Sequence, residues 1–565
     1  MNKNLKLGGV VVVASALLLT ACSGGGNSGG GPSSAGAETA GADVNKLISI
    51  NAQPVDNLKQ GGTFTLPVGN LGPDFSPFNQ NGNNTDNILM LGPVNVAATT
   101  GCWLLEANGT PKLNKDFCES FDSKIDGTKQ TITIKINDKA VWNNGTPIAA
   151  DTFINSWKQL SGTIKENNIV TPGAWENIAN VVQGATPKDV VVTMKQPTYP
   201  LSDLFAGLVN PAINTTKIFN DGFVDNLHPE WMAGPFKVDK YDPAAKTVSM
   251  VPNDKWWGEK PVLSSIVFRQ MESAATIAAF KNKEIDIAGG RTINAFNQLK
   301  GTPDSEVRTG QRLFGGGLNI NAAMAPMNDV TVRQAILTAV NRQEIAKVRY
   351  NGLNWTETPP GSQMLMPFSP YYQDNYPVKT TGADAAKKVF TDAGYTVGSD
   401  GKVVKDGKKV SFKITNFGDD PTALATVQTL QKQLQDAGMD VTIDQKGDND
   451  FGKVVGERTF QMTMSGYSMG ADATSAVKQY YDSKNGEFGV GDAAIDARIA
   501  KVSSIADDAE RNKAAMDIEK DFMAKYFVPG IAFNGPDIFY VRTGLANYGA
   551  SLFQTIDWST VGFQK

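Results

Sequence analysis

The stretch Gly466-Tyr467-Ser468-Met469-Gly470 has the spacing Gly-x-Ser-x-Gly. In that arrangement a serine raised on a sharp strand-to-helix turn attacks an acyl carbon. The preceding FQMTMS reads as a strand, as the chemistry needs. The reaction also needs a histidine base, which in that fold follows the serine. The chain has a single histidine, His228, well before Ser468. A serine hydrolase is therefore the weakest alternative. Gly447–Val454 (GDNDFGKV) has the outline of a phosphate loop, but Val454 stands where Ser or Thr would bind magnesium. One histidine, together with the absence of a D-x-D-x-D-G run, leaves no metal pattern. Two carboxylates are all a glycosidase needs, and 57 acidic residues single out no pair. The expectation is a binding protein, not an enzyme, with no cofactor and no metal.

The remaining reactive side chains are three cysteines, and the first lies at the end of an apolar run. Lys3 and Lys6 precede Gly8–Leu19, 12 weakly polar to apolar residues, the length of a signal-peptide core and too short to cross a bilayer. Leu19-Thr20-Ala21-Cys22 follows and looks like a bacterial lipobox, in which lipid on Cys22 replaces a membrane span as the anchor. Ser23–Ala42 is rich in Gly, Ser and Ala and cannot bury enough surface to offset its ordering entropy, so a flexible tether is expected. That places the body outside the cytoplasm, on the outer face of the membrane. Two leftover thiols in such a compartment usually pair, so Cys102 and Cys118 are expected to form a disulfide.

Composition fits a folded body. With 53 basic and 57 acidic residues the net charge is -4, without long single-sign runs, which argues against nucleic acid as a partner. A chain of 565 residues is too long for one core, so at least two lobes are expected.

The elements that must position any site alternate in type. TITIKI (131–136) alternates Ile132, Ile134 and Ile136 with polar residues and predicts a half-buried strand. PIAADTFINSWKQL (147–160) predicts a helix with Phe153, Trp157 and Leu160 on one face. KDVVVTMK (188–195) predicts another strand, and DVTVRQAILTAVNRQEI a helix from Asp329. LATVQTLQKQLQDAG stripes Leu424, Val427, Leu430 and Leu434 and ends at Gly438, with MDVTI following as a strand. Strands and helices mixed throughout define an α/β chain.

Four stretches resemble family-5 extracellular solute-binding proteins, the oligopeptide- and dipeptide-binding receptors of ABC importers. They are NKDFCESFDSKIDGTKQTITIKINDKAVWNNGTPIAADTFINSWKQL (114–160), MAGPFKVDKYDPAAKTVSMVPNDKWWGEKPVLSSIVFRQM (232–271), FKNKEIDIA (280–288) and MNDVTVRQAILTAVNRQEIA (327–346), in family order. On their own residues these motifs read as structural. Trp256 and Trp257 are expected to pack a lobe, and Arg333 to be an internal ion-pair partner.

The resemblance implies a two-lobed periplasmic-binding-protein fold of type II with an extra subdomain in lobe I. Residues 1–21 would be signal, 22–57 tether, 58–317 lobe I with 98–229 as the subdomain, 318–527 lobe II, and 528–565 the return to lobe I. It implies a monomeric, membrane-anchored receptor that closes over a peptide or other small solute and delivers it to ABC permease subunits. In peptide-binding members an aspartate after a Gly-aromatic pair holds the peptide's α-ammonium. Counting from Gly466-Tyr467 puts Gly470 at that place, and Asp472 is the nearest acid. The candidate ligand residues are Asp472, Tyr467, Ser468, Asn319, and Phe78 and Asn79 in the amide-rich run 76–87. Asp472 also suits a helix N-cap ahead of ATSAVKQYY. A site without a free ammonium would instead suit a glycan or glycolipid, or a role in cell-envelope lipid synthesis. A partner-binding lipoprotein with a vestigial cleft is a third class.

Overall fold

A computed structural model describes residues 43–447, 450–484 and 486–565. Cys22, the signal stretch and Ser23–Ala42 lie outside the described residues. Phe64, Leu66 and Val68 alternate with less buried neighbours, and this period of two makes β1 (Thr63–Val68). The chain then enters a subdomain of β2 (Cys118–Asp126), β3 (Lys129–Ile136), α1 (Ala150–Leu160), β4 (Ile178–Gln183) and β5 (Asp189–Met194). The strands form an antiparallel sheet in the order β2-β3-β5-β4. Ile132, Ile134 and Phe153 fill its core as their periodicity demands. Cys102 and Cys118 are joined in a disulfide beside that core, Cα to Cα 5.2 Å.

β6 (Phe236–Asp242), β7 (Thr247–Pro252) and β8 (Ser265–Gln270) return to β1, and the sheet order is β1-β8-β7-β6 with β1 and β8 parallel. Trp256 is buried, and the Trp257 ring nitrogen donates to the Asp116 carbonyl at 2.7 Å, so both rings pack the lobe. β9 (Ile287–Gly289) and β10 (Ser305–Gln311) follow.

The chain then crosses at 312–313 into lobe II. This lobe holds β11 (Phe314–Ile320), α2 (Val330–Ala339), α3 (Arg342–Arg349), β12 (Ser411–Phe417), α4 (Pro421–Asp436), β13 (Asp440–Lys446), β14 (Met462–Ser468), α5 (Thr474–Tyr481), α6 (Asp508–Tyr526) and β15 (Gly530–Phe533). Its sheet order is β13-β12-β14-β11-β15. The chain crosses back at 534–535, and β16 (Pro536–Arg542) lies between β9 and β10. Each lobe and the subdomain has its own hydrophobic core.

The expected boundaries at 317–318 and 527–528 fall inside β11 and just before β15. Gly316–Leu318 pair with Gly530, Ile531 and Phe533 as neighbouring strands of the lobe II sheet. Glycines permit this close pairing, because a Cβ on Gly317 would collide with the Gly530 carbonyl. The expected tether also ends earlier than residue 57. Leu47 and Ile50 are buried, and Ser49 bridges Ala550. The helix expected from Asp329 is two helices. Val340 is extended, and Asn341 caps α3 by accepting from the Glu344 N–H. α4 is followed by Gly438 at φ 88°, the left-handed conformation that glycine adopts without a Cβ clash. Arg333 is buried as expected, but its Nε and Nη1 donate to the carbonyls of Tyr526 and Met327 in place of an ion pair.

Candidate functional site

β14 and the loop after it run along the junction of the lobes, and two sizeable cavities open beside them. The first, about 490 Å³, is lined by Trp103 and Asp203 of lobe I and by Tyr371, Gly470, Asp472 and Arg511 of lobe II. Asp472 ends the loop that leads into α5. Its Oδ1 accepts from the Thr474 N–H at 2.7 Å, and its Oδ2 accepts from Arg511 Nη2 at 3.0 Å and Asn512 Nδ2 at 2.8 Å. Arg511 is buried and also pairs with Asp508 at 2.6 Å. Burial opposes the Arg511 charge, but Asp472 and Asp508 outweigh it and raise its pKa.

Asp203 faces this network from the other lobe. Its carboxylate accepts from Ser475 Oγ at 3.1 Å, a contact from lobe to lobe. Burial, reinforced by the Asp472 charge, pushes the Asp203 carboxyl up to about 6. The same face of the subdomain is tied to lobe II by the pair Lys478–Glu176 at 2.9 Å and by the Tyr199 N–H donating to the Ser503 carbonyl at 2.7 Å. Three carboxylates here face one guanidinium, so this end of the junction is an acidic pole.

The second cavity, about 400 Å³, is a basic pole. It is lined by Arg291 and Arg312 of lobe I, by Arg349 at the end of α3, and by Asn416, Thr426 and Ser465 of lobe II. Arg291 Nε lies 2.8 Å from Asp537 Oδ1. Arg312 stacks over Phe314, its guanidinium carbon 4.2 Å from the ring centre. Neither Arg312 nor Arg349 has an ion-pair partner among the described residues. Burial and then the nearby Arg291 charge lower the Arg312 pKa. Burial raises the Asp537 pKa, with Arg291 and Arg312 pulling it back.

Between the poles, Asn319 Nδ2 donates to the Tyr467 hydroxyl at 3.1 Å, and that hydroxyl reaches Glu487 at 3.4 Å. Tyr467 packs edge-on to Tyr480, and burial raises its pKa. Asn319 Oδ1 is buried without a partner among the described residues, beside a void of about 10 Å³. Ser468 is exposed at the end of β14 and pairs with Phe314, so it is not on a sharp elbow. His228 stacks on Trp231 in lobe I, ring centres 3.6 Å apart.

Phe78 and Asn79, of the amide-rich run, sit in the lobe I body. Phe78 packs against the lobe I core. Asn79 is fully buried, donating to the Asn220 carbonyl and accepting from Asn168 and from the Asn81 N–H. Neither lines either cavity. Asp203, Arg291, Arg312 and Arg349 escaped sequence reasoning, since they lie in separate segments without a shared spacing.

The comparisons agree with this architecture. Residues 112–488 match the model for bacterial extracellular solute-binding proteins, family 5, and the chain belongs to that family. The chain is 27% identical over 559 residues to the oligopeptide-binding protein OppA of Mycobacterium tuberculosis, covering 97% of this chain and 92% of that one. Its fold superposes on a periplasmic EDTA-binding protein, EppA, with a TM-score of 0.82 at 22% identity, covering 93% of this chain and 99% of the other. It also superposes on the oligopeptide-binding protein AppA of Bacillus subtilis in complex with a nonapeptide, with a TM-score of 0.70 at 16% identity, covering 90% and 100%. The two-lobed periplasmic-binding-protein fold implied by the sequence is the one observed.

Proposed function

We propose that this family-5 receptor captures peptides between its lobes and passes them to the permease of an ABC importer. The observation that carries the reading is charge separation along one segment. Carboxylates exceed cations beside Gly470–Asp472, and arginines exceed carboxylates beside Met464–Ser465. A peptide is a zwitterion with its charges at opposite ends and suits that polarity. Six residue steps along an extended chain span at most roughly 20 Å, so the poles suit a short oligopeptide. Full-length similarity to an oligopeptide-binding protein supports the same reading.

On this reading Asp203 and Asp472 together hold the α-ammonium, Asp203 supplying the charge that Arg511 does not already neutralise. Tyr467, Ser468 and Asn319 flank the peptide backbone. Lipid on Cys22 anchors a monomeric receptor outside the membrane, which raises the local solute concentration at the permease. Hinge motion at 312–313 and 534–535 closes the lobes.

Calorimetry with one tetrapeptide in free and N-acetylated forms tests the ligand. The free form binds, and acetylation costs about tenfold or more, since it removes the charge that the acidic pole pairs. Equal affinities overturn the peptide orientation. Cys22→Ala moves the protein from the detergent phase to the aqueous phase; equal partitioning of both forms overturns the anchor.

A further inference from the structure

The basic pole holds more cationic charge than a peptide's terminal carboxylate can balance. Asp537 is paired with Arg291, and although its charge also reaches Arg312, neither Arg312 nor Arg349 has a carboxylate at ion-pair distance among the described residues. Glu357, whose charge acts on Tyr350 of the cavity lining, is engaged elsewhere. It accepts from the Trp355 ring nitrogen at 2.8 Å and from the Asn534 and Gly535 N–H groups at 2.7 and 2.8 Å. It therefore already has three donors of its own. Both unpaired guanidiniums lie within one cavity of about 400 Å³, each half-buried. Arg349 ends a helix, and Arg312 is held in place by the Phe314 ring and by its backbone N–H on the Gly535 carbonyl. Leaving charged groups partly desolvated and unpaired is costly, so two such groups at one cavity point to what fills it.

We propose that the solute this receptor selects carries two negative charges on the end that enters the Arg291–Arg312–Arg349 cavity. This rests on the solute-capture reading above and sharpens its substrate class. Each guanidinium presents a planar fork that takes an oxyanion in two parallel hydrogen bonds. A single carboxylate satisfies one fork and leaves the other bare. A dianionic terminus satisfies both. Two chemistries supply it: a C-terminal acidic residue, whose α- and side-chain carboxylates diverge, or a phosphate monoester. Asn416 and Thr426 on the cavity wall add polar contacts but no charge.

The test uses the mature protein and isothermal calorimetry at low salt with three tetrapeptides that share their first three residues and end in Gln, Glu or phosphoserine amide. The Glu peptide binds about tenfold tighter than the Gln peptide. The phosphoserine arm tells whether a phosphate substitutes for the carboxylate pair. Arg312→Gln and Arg349→Gln each reduce the Glu-over-Gln preference to about twofold, with unchanged circular dichroism. Arg349→Lys retains charge without the fork and falls between. Equal affinity of the Gln and Glu peptides overturns the proposal, as does a preference that survives both glutamine variants. If no peptide binds, citrate is the probe. Citrate binding that both variants weaken refutes the peptide reading and upholds the dianion selectivity. Failure of citrate as well overturns both.

Discussion

At the acidic pole the one cation is enclosed by carboxylates of the protein itself; at the basic pole two cations have no ion-pair partner among the described residues. Arg511 is enclosed by Asp472, Asp508 and the carbonyls of Ile505 and Ala506, and Asp472 spends its remaining oxygen on the N–H of Thr474 at the start of α5. Arg312 and Arg349 sit at a comparable junction with no such enclosure. The difference teaches what each cluster is for. A buried charge with a full complement of partners fixes the geometry of a loop, whereas charges left open in a cavity await a partner from outside. Asp203 is the exception within the acidic pole, because it belongs to the opposite lobe and its carboxylate accepts, among the described residues, one hydrogen bond, from Ser475.

The sharpest way to break this comparison is to remove the enclosed cation. Arg511→Met leaves Asp472 and Asp508 facing one another without a counter-charge. Breaking a buried pair on one side costs about 3–5 kcal/mol, and urea denaturation should show a loss of that size. A loss under about 1 kcal/mol means that Arg511 is no anchor of the loop and that the contrast between the poles is false.

Asp203→Asn should have the next largest effect, and its sign changes with the measurement. The Asp203 carboxyl sits at about 6 in the native protein against 3.8 ordinarily. A raised carboxyl pKa means that the charged form is disfavoured in the folded state. The penalty is therefore present in full above about pH 6 and disappears below the ordinary value. The asparagine variant should be more stable than the parent at pH 7.5 by about 1–2 kcal/mol and equal to it at pH 3.5. Ammonium binding should move the other way. Parent affinity for a free peptide falls as pH drops through about 6, because protonation removes the unmatched carboxylate, and the variant is weak throughout. A pH-independent affinity in the parent overturns the role given to Asp203.

The sequence made one pole far more legible than the other, for a physical reason. Local periodicity exposes elements: the alternation of Ile132, Ile134 and Ile136, the stripe of α4 and the glycine beyond it all appear where a period of two or of 3.6 puts them. Asp472 was reachable because it sits a few residues from a Gly-aromatic pair on the same strand and loop. The basic pole had no such signal. Arg291, Arg312 and Arg349 lie in three segments and are three among 53 basic residues until β9, the lobe crossing and α3 bring them to one cavity. Asn79 is ambiguous in sequence for the converse reason. Amide-rich runs look the same in sequence whether their side chains face a ligand or, as here, join the segment at 168 to the short helix that holds Asn220. Arg333 likewise looked like half of an ion pair, but the carbonyls of Tyr526, at the end of α6, and of Met327 take its donors.

The smallest expected effect sharpens the comparison most, because the two poles predict different magnitudes for the same kind of change. Arg312→Gln removes a cation, as Arg511→Met does, but Asp537, the carboxylate that feels it, keeps Arg291 as its ion-pair partner. The variant gives up the stacking on Phe314, worth about 0.5–1 kcal/mol at a partly exposed site. Against that it relieves the burial of the charge and its repulsion with Arg291 and Arg349, the three causes that depress the Arg312 pKa. These terms are of similar size and opposite sign. The ligand-free variant should therefore unfold within about 1 kcal/mol of the parent, on either side, in urea at pH 7.5. Added salt should narrow even that gap, since screening weakens the repulsion between Arg291 and Arg312 in the parent. A loss above about 2 kcal/mol would show Arg312 to be as enclosed as Arg511. The basic pole would then be scaffold, and its open charges would need another explanation than a ligand.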